Sequence, residues 1–83
     1  MKSNLADYNV GDKVILKNVL DSQLTIQLYS MGCVLGEEIL IERKAPFGDS
    51  IIISVEDSFI SLRKDDAQKM EVELSERFEE ERI

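Results

Sequence analysis

Cys33 is the single thiol of an 83-residue chain that contains no histidine. Without imidazole the chain lacks the commonest general base, proton shuttle and metal ligand at once. Cys33 has no CxxC partner and directly follows Gly32, which suits packing at a helix end better than nucleophilic or metal chemistry. Glu37, Glu38 and Glu42 are the other candidates. Glu38 and Glu42 share parity on a strand, the arrangement a carboxylate-only divalent-metal site would need, although a plain solvated face accounts for the same spacing more simply. Gly32-x-x-x-Gly36 lacks the Lys-Ser/Thr that follows in a phosphate-cradling loop, which excludes an independent GTPase. The expectation is a chain with no catalytic residue, no metal site and no cofactor.

The remaining candidates are groups suited to contact. Cys33, Val34 and Leu35 lie between two glycines, and exposed together they would form an apolar patch for a partner. Phe47 stands at the tip of the turn 45–49, where an aromatic on a rigid loop makes a good interface anchor. On one strand Phe59, Ser61 and Arg63 face one way while Ile60 and Leu62 face the other. If Ile60 and Leu62 fill the core, Arg63 points outward and engages a carboxylate of a partner, or it pairs internally with Asp66. Ile26 and Tyr29 fall off the apolar stripe of their helix. They either pack against a strand end or form part of a second interaction surface.

Short elements must position these groups. Asn9-Val10-Gly11-Asp12 reads as a turn before a β-rich segment over 13–20. Asp21 or Ser22 then caps a short helix whose buried stripe is Leu24, Leu28 and Met31, and Gly32 ends it in left-handed geometry. Further strands are predicted over 37–44, 51–55 and 59–63. Pro46 and Gly48 shape the turn after the first of these, and Asp57 is suited to a left-handed position in the hairpin 56–58. One helical turn over 64–69 leads to a last strand over 70–74. Five short strands with one helix after the first predict a mainly β, partly open barrel that limits its exposed edges by curling. The domain is expected over 1–74, followed by a charged tail over 75–83 with a net charge of −2 and Phe78 as its only aromatic.

Composition narrows the partners. Seventeen acidic residues against ten basic ones give a formal charge of −7, which opposes binding to a nucleic-acid backbone or to anionic lipid. A chain 43% hydrophobic and 33% charged has the balance of a folded domain rather than a disordered one. A secretory leader needs roughly 7–15 consecutive apolar residues and a membrane span about 20; neither is present, so a reducing, cytosolic setting is expected. Acidic monomers and edge-paired dimers fit equally well.

Leu28-x-x-Met31-Gly32, then Gly36, Ala45-Pro46-x-Gly48-Asp49, Ile60-Ser61-Leu62-Arg63-Lys64 and Ala67 occur in one order and spacing. This set resembles the FeoA family, the small cytosolic proteins that accompany the ferrous-iron transporter FeoB, and the likeness runs from about Leu5 to Leu74. The resemblance implies a small SH3-like barrel with a helical insertion. It also implies an accessory protein without enzymatic activity that docks on the cytosolic side of a FeoB-type membrane GTPase, where it would be peripheral to the inner membrane. The contacts would fall to Ile26, Tyr29, Cys33, Val34, Leu35, Phe47 and Arg63, with Gly32, Gly36, Pro46, Gly48 and Asp57 shaping the turns. The chain departs from the family pattern at Leu35 (usually proline), Gln27 (commonly arginine), Cys33 (frequently leucine), Ser50 (often proline) and Asp57 (usually glycine). A similar barrel closes iron-dependent repressors, so the alternative is a stand-alone metal-sensing or regulatory domain.

Overall fold

The computed structural model describes residues 4–46 and 49–75. A short 3-10 turn, Leu5–Asp7, leads into strand β1 (Lys13–Val19) and helix α1 (Ser22–Ser30). Strands β2 (Glu38–Lys44), β3 (Ser50–Val55) and β4 (Ser58–Arg63) follow, then helix α2 (Lys64–Gln68) and strand β5 (Met70–Leu74). The strands form one five-stranded sheet in the order β4-β3-β2-β1-β5, with every neighbouring pair antiparallel. The register slips between Leu16 and Asn18 on β1 and between Ile41 and Arg43 on β2. Such irregularities bend a strand and raise its twist, which lets a sheet this narrow wrap around its own core. This is the mainly β barrel with one inserted helix that the strand pattern predicts, in the SH3-like form that the resemblance implies.

Alternation with period two builds the interior. Val14 and Leu16, Ile39 and Ile41, Ile51, Ile53 and Val55, Ile60 and Leu62, and Met70 and Val72 all point inward and are buried. Leu24 and Leu28 close the barrel from α1, and Ala67 packs from α2. Leu5 and Tyr8 also enter the core, an N-terminal contribution that no periodic pattern announces. Lys44 staples that segment by donating from Nζ to the carbonyl oxygens of Ala6, at 3.2 Å, and of Tyr8.

The helix ends explain one correction. Asp21 is the N-cap, its Oδ1 accepting from the backbone N–H groups of Gln23 (2.9 Å) and Leu24 (3.4 Å). At the other end Gly32, with φ +86°, donates to Tyr29 O at 3.0 Å, and Cys33 donates to Leu28 O at 2.8 Å. These are the paired bonds of a Schellman motif, which brings the residue after the glycine back beneath the last turn. Cys33 is therefore 1% exposed, whereas Met31, expected on the buried stripe, is 42% exposed. The chain leaves the helix at Met31, so helical spacing no longer governs where its side chain goes.

The β3–β4 hairpin gives a second correction. Val55 pairs directly with Ser58, leaving a connection of only Glu56 and Asp57. Its left-handed residue is Glu56 (φ +55°) and not Asp57, because two-residue hairpins need positive φ at the first loop position. Ser75, assigned from sequence to the tail, is tied to β1 by its N–H donating to Lys13 O at 2.8 Å. The rest of that tail, with Phe78, and the turn residues Phe47 and Gly48 lie outside the described residues.

Candidate functional site

Helix α1 has apolar residues on two opposite faces. At about 100° per residue, Ile26 and Tyr29 lie across the helix from Leu24 and Leu28. The inner pair is buried, while Ile26 is 68% and Tyr29 60% exposed, so neither packs against a strand end. Met31 and Leu35 extend the exposed apolar surface beyond the helix, with Val34 half-buried between them. Leu35 is held on a fixed loop. Gly36, at φ +92°, donates to Leu16 O at 2.8 Å, and Glu37 N–H donates to Val34 O at 3.1 Å.

The electrostatics of this surface are as distinctive as its shape. From residue 22 to residue 36 there is no charged side chain, in a chain of which one third is charged. A partner covering this face strips water from no ion, so the desolvation cost that penalises charged interfaces is absent. The hydroxyls and amides of Ser22, Gln23, Gln27 and Ser30 rim the helix. The surface can hold a partner by apolar burial with polar contacts at its edge.

Cys33 is not part of that surface. Burial, with a smaller contribution from the charge on Glu37, pushes its thiol from 9.0 up to about 11. It is protonated and inaccessible at neutral pH, and its role is to fill the core under α1. The Cys33–Leu35 loop therefore offers Leu35 and part of Val34, not three residues together.

Arg63 does lie on the outer face of β4, with Ile60 and Leu62 inside. Asp66 does not pair with its guanidinium; the Asp66 carboxylate accepts the Arg63 backbone N–H at 3.4 Å instead. Pro46 is exposed in its turn. Phe59, which the sequence placed on the outer face without assigning it a role, is the most exposed large apolar residue among those described, at 72%.

The strand carboxylates are engaged locally. Ser54 Oγ donates to Glu42 at 2.7 Å and Ser75 Oγ donates to Glu38 at 2.7 Å, both half-buried. Among the described residues no three cysteine or acidic side chains converge on a point where a metal ion would sit. A pocket of about 220 Å³ lies beside Lys44, Asp49, Ile51 and Lys64. That is below the range of roughly 300–1,000 Å³ usual for small-molecule sites. Among the described residues no helix is long and apolar enough to cross a membrane.

Of these exposed apolar residues the sequence singled out Ile26, Tyr29 and Leu35, while it placed Met31 on the buried stripe and gave Phe59 no role. For Met31 the usable signal was the charge-free run, which marks the whole segment rather than a helical stripe.

Comparison with known proteins places this geometry. The FeoA domain family matches residues 3–74. Over 71 residues the chain is 32% identical to the Fe(2+) transport protein A/Fe(2+) transporter FeoB fusion protein of Porphyromonas gingivalis, covering 84% of this chain but only 8% of that protein. The solution structure of a FeoA-like protein from Clostridium acetobutylicum superimposes with a TM-score of 0.78 at 32% identity, over 95% of this chain and 94% of that one. A manganese-dependent transcriptional repressor in complex with manganese gives a TM-score of 0.81 at 17% identity, over 90% of this chain and 38% of that one, a likeness of fold alone. Barrel, helix insertion and sequence match agree over nearly the whole described chain, and the chain belongs to the FeoA family.

Proposed function

We propose that this protein is an accessory module of ferrous-iron uptake that docks on the cytosolic part of a FeoB-type transporter. It does so through the outer face of α1 and the loop that follows, with Ile26, Tyr29 and Leu35 as the apolar anchors. The observation that carries this is the uncharged, apolar surface over residues 22–36 on an otherwise acidic domain. In the Porphyromonas gingivalis relative the matching segment is one part of a polypeptide named for both proteins, which supports physical proximity of the two partners. Tethering raises local concentration, so a weak apolar contact suffices for function when the two parts are held together. Docking alters transporter activity only if the module binds one conformation of the GTPase region better than another.

The direct experiment is a pull-down, followed by titration, with the cytosolic domains of a FeoB-type transporter and with the full transporter in membranes. Binding lost on Tyr29→Ala and Leu35→Asp supports the docking face. Persistent absence of binding to both preparations overturns it. The alternative, a metal-sensing domain, requires near-stoichiometric Fe²⁺ uptake. Calorimetry at micromolar metal decides it, and the engagement of Glu38 and Glu42 by serine hydroxyls weighs against carboxylate ligation there.

A further inference from the structure

The two edges of the sheet differ. On the β5 side, Asn4 bridges to Glu71, the 3-10 turn packs alongside, and Glu71 and Glu73 put charge on the strand. On the β4 side no strand or backbone group among the described residues pairs with the free edge, and only the Arg63 N–H at its end is engaged, by the Asp66 carboxylate. Strand β4 also lacks the usual defences of an edge. Its register with β3 runs without a bulge from Ser50↔Arg63 to Val55↔Ser58, it has no proline, and its only charge is the terminal Arg63. Phe59 stands on this strand, 72% exposed.

We propose that β4 is a self-pairing edge, on which two copies of this chain associate as antiparallel strands about a two-fold axis at Ile60. The backbone pattern restricts the pairing. Val55 and Ser58 close a two-residue hairpin and so form a hydrogen-bonded pair, which leaves the N–H and C=O groups of Phe59, Ser61 and Arg63 directed at the free side. Consistent with this, the Arg63 N–H goes to Asp66 rather than to β3.

The faces restrict it further. Inward residues of one copy must lie opposite inward residues of the other, so a slip of one position is not allowed. Centring on Ile60 places Phe59 opposite Ser61, both with outward backbone groups, on each side of the axis. It also brings the end of β4 at Arg63 and Lys64 towards the Glu56–Asp57 loop of the other copy, so opposite charges approach at both ends. Centring on Ser61 instead brings the Asp57 loop towards Asp65 on α2, and centring on Phe59 moves Arg63 away from Asp57 towards Val55. Only the Ile60 register combines matched faces, matched hydrogen bonds and matched charges. It also covers Phe59, whose ring would lie over Ser61 and beside the Arg63 guanidinium of the other copy. A single edge pairing is small, so the dimer is weak and concentration-dependent.

Sedimentation equilibrium up to about 1 mM protein, with amide exchange followed by NMR, tests this. The expected result is a reversible dimer, with the Phe59 and Ser61 amides slowing as concentration rises. Arg63→Asp and Asp57→Arg should each weaken association by about tenfold, since each brings like charges towards one another on both sides of the axis. Mixing the two single variants in equal amounts should restore association, because each copy then offers the charge the other lacks. Ser61→Pro removes an outward N–H without touching the β3 ladder and should yield a folded monomer by circular dichroism. A chain that stays monomeric at the highest concentration overturns the proposal. So does a dimer in which the Phe59 and Ser61 amides are unaffected, a mixture of variants that fails to associate, or an edge that accepts only a foreign strand.

Discussion

Asp21 and Lys69 meet at 3.4 Å between Oδ2 and Nζ, joining the start of α1 to the end of α2. The same junction is tied through the backbone, where Leu20 N–H donates to Lys69 O at 2.8 Å. Asp21 thus caps the helix with one oxygen and anchors it to the turn before β5 with the other. The helix face opposite Leu24 and Leu28 is presented at an angle set by this junction and by the Schellman turn at its far end.

Acid should loosen this end first. The backbone N–H groups of Leu24 and Gln23, and then the Lys69 ammonium, hold the Asp21 carboxyl below its ordinary 3.8. The stabilisation is present above that value and disappears as pH falls through the lower folded value. Thermal melts between pH 5 and pH 2 should show Asp21→Ala losing less stability on acidification than the parent, from a lower starting point at neutral pH. Lys69→Ala should change the neutral-pH melt little, because the pair is exposed.

Leu28→Ala and Met31→Ala separate helical spacing from tertiary geometry. Leu28 is 1% exposed and its loss should cost about 2–5 kcal/mol in denaturant titrations. Met31 is exposed, and its truncation should stay within about 0.5 kcal/mol. A large effect at Met31 would contradict the capped helix end.

Cys33 should resist thiol reagents in the native state at pH 8 and react promptly once the chain is unfolded. Both states keep the proton below pH 9. Between 9 and about 11 the unfolded chain releases it while the folded one does not, so this group's contribution to stability declines as pH rises through that window. Denaturant titrations from pH 8 to 11 should therefore fall less steeply for Cys33→Ala than for the parent.

Gly36→Ala should destabilise by about 1–2 kcal/mol. Nothing lies within 4 Å of the added methyl, so the cost arises from φ +92° alone. The same variant should weaken transporter binding only in proportion to its displacement of Leu35.

Docking should respond to the outer face and not to the core beneath it. Tyr29→Ala and Leu35→Asp are expected to lower affinity for transporter cytosolic domains by roughly tenfold or more, with melting temperature unchanged. Gln27→Ala, at the rim, should have little effect.

The strand pattern, the helix and its cap were legible in the sequence because each follows from neighbours within a few residues. Alternation on 51–55 and 59–63 needs only period two, and Asp21 needs only the amides of the next turn. The positive φ at Gly32 and Gly36 was equally local, since only glycine adopts it without cost. What sequence spacing misplaced was decided by hydrogen bonds and packing that spacing does not carry. Met31 left the buried stripe, and Cys33 packs at the helix end, because a pair of backbone bonds outranks helical phase once the helix has ended. Asp57 yielded the left-handed position to Glu56 because strand register shortened the loop. Leu5 entered the core through contacts with segments far away in the chain. Side-chain type states what a residue is able to do; which residues reach water depends on how the sheet curls.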